Sequence, residues 1–318
     1  MHLIHPPPDV ALLGLRAMKM VASAPGQIAA PARNLLEAAQ KIVLHTSHDL
    51  DALPPISPEE LAAGMTEPAL RQQFVNAMLV MSLAAGIPPD RQIDVVDRFA
   101  AALGVDNPYV RDLHLLARRH TLLFRLDFMR RSHIADMVRQ QVEDSGLVGT
   151  VKALLGLRGA VEDPAVAAPY VALGELPAGT LGRALHDHYR GNGFAFPGER
   201  LGFPEAGVYH DLAHVLSGYA TDPEGELQVG AFIAGFRDHN PVAVLLFVML
   251  TFSAGVNVTP LKQPHIEGIL ATPGLAEKML RALERGAQMT VDLSDHWDFW
   301  PHLARPLDEV RRAFNVLP

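Results

Sequence analysis

Apolar residues recur at helical spacing along most of the chain, and this periodicity is the feature that most constrains its fold. One such stripe is followed at once by a glycine, a common end of a helix. It consists of Ile93, Val96, Phe99 and Leu103, before Gly104. No stretch of useful length alternates apolar and polar residues as a half-buried strand would. We therefore expect an all-α fold built from two helical modules.

Glycine and proline residues divide the chain into segments. Residues 1–145 predict a helical N-terminal domain that contains an antiparallel bundle. Residues 146–170 are rich in glycine and proline and predict a junction, although residues 151–157 could still form a short amphipathic helix. Residues 171–318 are predicted to form the second module. A length of 318 residues is compatible with two such domains.

Composition excludes several classes of function. A formal net charge of −8 leaves no basic surplus for phosphates, so we expect no nucleic-acid partner. The chain has no cysteine, so any metal must be held by histidines and carboxylates. Neither a glycine-rich nucleotide motif nor a serine-hydrolase motif is present.

No secretory signal is visible at the start of the sequence, and we expect a cytoplasmic protein. Two basic clusters lie in the N-terminal half: Arg118, Arg119 and His120, then Arg130 and Arg131. Such clusters usually form a solvated helix face. The alternative is contact with anionic lipid headgroups, which would place the protein peripherally on the inner face of the membrane.

The residues that carry the most chemical information are His210, Asp211 and His214, followed by Glu226. If His210 begins one helical turn, His214 lies about 40° away around the axis, and Asp211 lies about 100° away. One side of the helix then presents two imidazoles and a carboxylate. Histidine pairs at this spacing also occur by chance, so the neighbouring carboxylates support the prediction of a metal site.

A tight helical hairpin would bring Glu226 back over the two histidines. Gly218 is a plausible end for the first helix. Asp222 is suited to cap the second helix and Pro223 to begin it. Two imidazoles with one or two carboxylates form a ligand set suited to zinc or a similar divalent ion.

These residues resemble a known family. The pattern His210-Asp211-x-x-His214, then eleven residues, then Glu226 is similar to the metal-ligand signature of the ubiquinone-biosynthesis family called coenzyme Q biosynthesis protein 4. The spacer, Val-Leu-Ser-Gly-Tyr-Ala-Thr-Asp-Pro-Glu-Gly, resembles the family's hairpin as well. Further similarity lies at residues 176–182, 193–197, 285–293 and 306–311. The resemblance covers most of residues 150–318.

The resemblance implies a metal site formed by His210, Asp211, His214 and Glu226, with His210, Asp211 and Glu226 in catalytic roles. It implies zinc first, with Mg²⁺, Mn²⁺ and Fe²⁺ as other candidates. The implied reaction is oxidative decarboxylation and hydroxylation at C1 of a prenylated benzoate ring, as in a lyase. The implied partners are the prenylated quinone precursor, other quinone-biosynthesis enzymes, the membrane surface and a second copy of the chain.

Two other functions remain open. The chain could be a non-catalytic scaffold that binds prenyl lipids and presents them to other enzymes. It could also be a phosphohydrolase of the HD type, which uses a His-Asp doublet with a separate histidine and aspartate. His186 or His188, together with Asp292, would then complete the set. His214 and Glu226 fit that scheme poorly.

The N-terminal half faintly resembles the helical domain of TerB-like tellurite-resistance proteins. The similarity lies in Ala-Ala-Gly-Ile-Pro at residues 84–88, the amphipathic helix that follows, and Leu-Gly-Val at residues 103–105. The family usually has an aspartate where Ala85 stands, so a metal role for this half is not implied. We expect an accessory domain.

Two further groups of residues have competing interpretations. Residues 242–252 are the most apolar run, which favours a buried core helix or the wall of an apolar tunnel for a prenyl chain. His186, Asp187 and His188 are interpreted as surface or capping residues, with ligand-orienting partners as the alternative. Other histidines, among them His114, His133 and His296, have no carboxylate at ligand spacing.

Overall fold

The computed structural model describes residues 3–259, 265–294 and 297–317. Within these ranges the chain forms fifteen α-helices, four short 3₁₀ helices and two isolated β-bridges, but no strands. The helices are α1 (Pro8–Ser23), α2 (Ala30–Ile42), α3 (Pro58–Gly64), α4 (Pro68–Ser82), α5 (Asp90–Leu103), α6 (Pro108–Ala117), α7 (Thr121–Arg131), α8 (His133–Leu157), α9 (Pro164–Ala172), α10 (Leu181–Gly191), α11 (Val208–Ser217), α12 (Pro223–Phe236), α13 (Pro241–Phe252), α14 (Leu275–Ala287) and α15 (Leu307–Ala313). The predicted all-α class is confirmed.

The helix ends follow from local chemistry. Gly104 adopts the left-handed conformation after α5, with φ 67°, and its N–H bonds back to the helix. Ser57 and Asn107 accept hydrogen bonds from backbone N–H groups in the first turns of α3 and α6. The apolar stripe of α5, interpreted from its spacing, is buried.

The two halves of the chain share one hydrophobic core. Helix α2 packs against α14, and the side-chain amide of Asn34 donates to the carbonyl of Leu270 at 2.8 Å. Lys41 pairs with Glu277 across the same contact at 2.8 Å. Buried apolar residues from both halves belong to a single cluster. The division into domains at residues 145–171 stays a prediction.

Helix α8 runs through the predicted junction. Its backbone breaks at Gly146, which has φ 68° and ψ 175°, and the helix then continues to Leu157. Residues 151–157 are therefore helical, as one alternative for the junction proposed. Leu147, Val148 and three further apolar residues of this second half remain exposed: Val151, Leu154 and Leu155.

Helix α12 lies at the centre of the C-terminal half, between α13 and α14. A Cβ at Gly286 would overlap the carbonyl oxygen of Phe232, so α14 approaches α12 at backbone distance. A Cβ at Gly230 would overlap the side chain of Val248 in α13, so this glycine permits close packing of α12 and α13. Leu246 and Val248 are buried, so these residues of the apolar run form packed core. No helix among the described residues is long and apolar enough to cross a bilayer.

Candidate metal centre

The predicted hairpin is formed by α11 and α12. Helix α11 ends at Gly218, which is left-handed with φ 80°. The Asp222 carboxylate accepts a hydrogen bond from the N–H of Gly225 at 2.7 Å, and α12 begins at Pro223. A Cβ at Gly225 would overlap the carbonyl of Ala220, so this glycine permits the close turn. The interpretation of this connection from Gly218, Asp222 and Pro223 is confirmed.

Three of the four predicted ligands converge across the hairpin. His210 Nε2 lies 3.4 Å from one carboxylate oxygen of Glu226, and His214 Nε2 lies 3.3 Å from the other. One donor atom from each residue falls within 4.8 Å of the other two. Glu226 therefore returns over the histidines as the helical geometry predicts.

The surroundings of His214 fix which of its nitrogens can bind a ligand. Its Nδ1 lies 3.0 Å from the carbonyl oxygen of Tyr219, so Nδ1 carries the hydrogen and donates it. Nε2 then has a free lone pair, and it is buried with no hydrogen-bond partner among the described residues. A backbone acceptor that orients a metal-binding histidine in this way is common in metal sites.

Asp211 lies beside this cluster rather than within it. One of its carboxylate oxygens accepts a hydrogen bond from the hydroxyl of Tyr189 at 2.5 Å. The other oxygen lies 3.6 Å from His188 Nε2 and 3.9 Å from His210 Nδ1. The predicted four-residue set is thus a group of three with Asp211 on its flank.

The charges of the site favour a cation. Burial opposes a charge on the His210 ring, but the carboxylates of Asp211 and Glu226 raise its pKa to about 10. Burial raises the pKa of Glu226, but His210 and His214 outweigh it and hold that pKa at about 2. The pKa of Asp211 is also lowered, against its burial, by nearby His188, His210 and the Tyr189 hydroxyl. A divalent ion at His210 Nε2 would replace a proton that faces Glu226, while Asp211 faces the other ring nitrogen, Nδ1.

Tyr189 of α10 was not identified from the sequence as a site residue, and His188 was given there only as an alternative, either orienting the ligands or completing an HD-type set. The ring of His188 stacks on that of His214, with centroids 5.6 Å apart, and its side chain is only 11% exposed. A signal was present, because His188 and Tyr189 continue the apolar face of α10 that Leu181 and Leu185 begin. The interpretation of His188 as a surface or capping residue is therefore wrong.

Its neighbours in sequence have other environments. His186 packs on Phe196, with ring centroids 5.6 Å apart, and Asp187 pairs with Arg183 on the helix surface at 2.9 Å. The Asp292 carboxylate accepts hydrogen bonds from the N–H groups of Asp238, at 2.9 Å, and Ser294, at 2.8 Å. Among the described residues, Asp292 forms no hydrogen bond or ion pair with His210 or Asp211, which leaves the HD-type arrangement without its second aspartate.

Two other groups of histidines and carboxylates are present among the described residues: His5 with His45 and Glu284, and Asp90 with Asp94 and His114. The second group corrects the expectation that His114 lacks a carboxylate partner, because its Nδ1 lies 2.6 Å from Asp90. The partner comes from another helix, and sequence spacing does not reveal it. His296 lies outside the described residues.

The donor atoms fit a divalent ion. Nitrogen and carboxylate oxygen are the ligands that zinc and similar ions take in proteins, and two imidazole nitrogens of the site, one each from His188 and His214, are buried without a partner. Fold and site together define an all-α protein with a histidine–carboxylate candidate metal centre on a helical hairpin.

Comparisons with known proteins give little more. No model of a known protein family matches the chain, and no curated protein does. The crystal structure of a candidate ubiquinone biosynthesis protein from Nostoc punctiforme PCC 73102 is similar, at 18% sequence identity and a TM-score of 0.35. The similarity covers 66% of this chain and 95% of the other. A likeness this distant identifies neither the family nor the activity of this chain.

Proposed function

We propose that this chain is a divalent-metal-dependent enzyme of ubiquinone or related prenylquinone biosynthesis. Its reaction would be oxidative decarboxylation and hydroxylation at C1 of a prenylated benzoate ring. The observation that carries the proposal is the meeting of His210, His214 and Glu226 at one point of the hairpin. They are three of the four metal ligands that the resemblance to coenzyme Q biosynthesis protein 4 implies.

The site has an open and a closed side. The side chain of His210 is 42% exposed, whereas that of His214 is 1% exposed. The substrate's carboxylate would therefore approach on the His210 side. Tyr189 holds Asp211 in place, and the lowered pKa of Asp211 keeps it anionic, so Asp211 suits orientation of His210 rather than proton uptake.

A bound divalent ion would act as a Lewis acid toward the carboxylate or phenolic oxygen of the substrate. Replacing the ring carboxylate by a hydroxyl whose oxygen comes from water releases CO₂, two protons and two electrons. Zinc is redox-inert, so dioxygen or another two-electron oxidant must accept these electrons. His210, His214 and Glu226 would hold the ion, and Asp211 would flank it.

The prenyl tail needs an apolar environment, since each CH₂ removed from water contributes about 0.8 kcal/mol. Helix α13 is packed core at Leu246 and Val248, so it offers no open groove there. Most of the large apolar residues that are exposed lie instead on α7 and α8. The first half of α8 adjoins the site, because Gln140 donates a hydrogen bond to the hydroxyl of Tyr209 at 2.7 Å.

We therefore include a peripheral membrane contact in the proposal. Leu122, Leu123 and Leu126 of α7 are more than half exposed. Arg119 and Arg125 lie among them, and neither has an ion-pair partner among the described residues. Exposed leucines interleaved with unpaired arginines suit an anionic lipid surface. Arg118, Arg130 and Arg131 contribute less, because each pairs with an aspartate.

The decisive experiment is a single turnover of a prenylated hydroxybenzoate by purified protein under oxygen, with Zn²⁺, Mn²⁺ or Fe²⁺ added. We expect CO₂ and hydroxylated product from the wild type and none from Glu226→Ala. His186→Ala is the matched control, because it removes a histidine of α10 that lies outside the cluster, and it should keep activity.

Measuring the metal content tests the proposed metal site separately from the proposed enzymatic activity. Elemental analysis should find about one ion per chain in the wild type and a loss in the double variant His210→Ala/His214→Ala. Equal metal in both proteins would remove these residues from the site. If the protein binds the precursor but leaves it unchanged with every metal, the enzyme hypothesis is wrong. The protein would then be the scaffold that presents lipids to other enzymes.

A further inference from the structure

Two buried imidazole nitrogens lie in adjacent rings and have no hydrogen-bond partner among the described residues. They are Nε2 of His188 and Nε2 of His214. The two rings stack, with an interplanar angle of 26°. Buried polar atoms are nearly always paired in folded proteins, so two orphans in adjacent rings indicate that something else binds them.

The distances show what His188 lacks. Its nearest charged neighbour is Asp211, whose carboxylate oxygen lies 3.6 Å from His188 Nε2, too long for a normal hydrogen bond. The same Asp211 already accepts a hydrogen bond from Tyr189. His188 thus faces the Asp211 carboxylate at more than normal hydrogen-bond distance, and its ring stacks on that of His214.

We propose that His188 is a metal-binding residue of this centre and supplies its third imidazole nitrogen. The inference rests on the proposed metal function of the hairpin. His188, His210, His214 and Glu226 then offer three nitrogens and a carboxylate, a four-donor set typical of zinc. Such a set favours nitrogen-preferring ions such as Zn²⁺ and Co²⁺ over Mg²⁺, which prefers oxygen ligands and keeps several waters.

The competing role is positioning, in which His188 only orients Asp211. Loss of an orienting residue can also weaken metal binding by about 10- to 100-fold, so affinity alone cannot separate the two roles. The visible absorption of bound Co²⁺ can separate them, because it reports the number and type of ligand atoms. A second test compares the His188 variants with and without Asp211→Asn. If His188 only orients Asp211, its substitution should have no effect on metal binding once Asp211 is replaced.

The experiment titrates Co²⁺ into the purified full chain and follows the visible spectrum, then repeats the titration with Zn²⁺ and Mg²⁺ by calorimetry. The variants are His188→Gln and His188→Phe, where Phe keeps an aromatic ring in the stack. His186→Gln is the control, because this histidine lies on the same helix outside the cluster. Melting curves of the metal-free proteins show which variants are folded.

We expect His188→Gln and His188→Phe to change the Co²⁺ spectrum and to weaken Co²⁺ and Zn²⁺ binding by about 100-fold or more. Mg²⁺ binding should change far less, and His186→Gln should match the wild type. If His188→Phe fails to fold, His188→Gln alone decides. An unchanged Co²⁺ spectrum overturns the assignment, and so does an affinity loss that disappears in Asp211→Asn.

Failure of the underlying function has a different signature. If the wild type binds neither Co²⁺ nor Zn²⁺, the proposed metal function of the hairpin is wrong, and so is the proposed role of His188 as a ligand. If the wild type binds the ions and His188→Gln binds them equally well, only the role of His188 falls.

Discussion

The α11–α12 hairpin and the α7–α8 surface both differ from the usual pattern of burial, but in opposite ways: the first buries polar residues and the second exposes apolar ones. The hairpin encloses histidines and carboxylates within an apolar half of the protein. Helices α7 and α8 expose large apolar residues to solvent, with Val148 84% exposed. Buried polar groups and exposed apolar patches are the informative exceptions to the usual distribution. Folding alone explains neither feature, and we propose that a metal ion binds at the hairpin and a lipid surface at α7 and α8.

The hairpin and the α7–α8 surface differ in whether their unusual residues have partners within the chain. Several polar groups of the hairpin have partners within the chain: His210 lies 3.4 Å from Glu226, and Asp211 accepts a hydrogen bond from Tyr189. The stripe on the second half of α8 has no such partner within the described residues: Leu147, Val148, Val151, Leu154 and Leu155. The hairpin should then depend on packing around it, whereas the α7–α8 surface should not contribute to stability.

The largest effect on stability is expected from Leu246→Asn in α13. This change empties part of the core beside α12 and buries an amide without partners, so we expect a loss of about 4 kcal/mol in the free energy of unfolding. Urea unfolding measures it. Leu147→Asn is the matched control, because the same change is made on the exposed stripe. A folded Leu246→Asn protein that instead loses only long-chain prenyl ligands would support the tunnel and contradict the core.

A smaller loss is expected from Gly286→Ala, where α14 crosses α12. The added Cβ would overlap the carbonyl oxygen of Phe232, and backbone must move to accommodate it. Overpacking of this kind costs about 1–3 kcal/mol, which a thermal melt will detect. Gly191→Ala at the end of α10 has open space and should be neutral or stabilising. Equal melting temperatures for both variants would show that the crossing does not hold the hairpin.

The third prediction concerns acid. Burial, Arg237 and His210 lower the pKa of His133 to about 3, and its Nδ1 is buried without a partner. Because the folded state disfavours the protonated ring, this stability is complete above pH 6.5 and is lost as pH falls toward 3. Between pH 8 and pH 5.5 the wild type should lose about 1 kcal/mol more than His133→Phe, in which the residue cannot titrate.

Urea unfolding at the two pH values tests this prediction. Phe at residue 133 keeps an aromatic contact with Phe247, whose ring lies 5.1 Å from that of His133. His120→Phe, at an exposed position before α7, is the control and should lose stability with pH as the wild type does. Parallel losses in all three proteins would mean that His133 is not the sensitive group.

The smallest effect on stability is expected from Leu122→Gln/Leu126→Gln on α7. Both side chains are exposed, at 70% and 59%, so the free energy of unfolding should change by less than about 0.5 kcal/mol per substitution. Binding to vesicles of anionic phospholipid should nevertheless fall strongly in a sedimentation assay. Arg125→Gln should weaken binding to anionic vesicles and leave neutral vesicles unaffected. If the wild-type protein does not bind anionic vesicles, the proposed membrane contact is wrong.

The sequence by itself determined those features of the fold that depend on interactions between residues close in the chain. The end of α5 at Gly104, the end of α11 at Gly218 and the start of α12 after Asp222 all follow from capping preferences that act within a few residues. The meeting of the histidines with Glu226 follows too, because a short turn between two helices leaves few ways to return.

Only the tertiary structure decided which distant residues share a site and which surfaces stay uncovered. His188 and Tyr189 reach Asp211 from α10, and His114 finds Asp90 on another helix. Periodicity reveals that a helix has an apolar face, but not whether another element covers it, and the stripe at Leu147 is left exposed. These outcomes depend on the packing of whole helices, since contacts between distant segments are set by the core and not by local spacing.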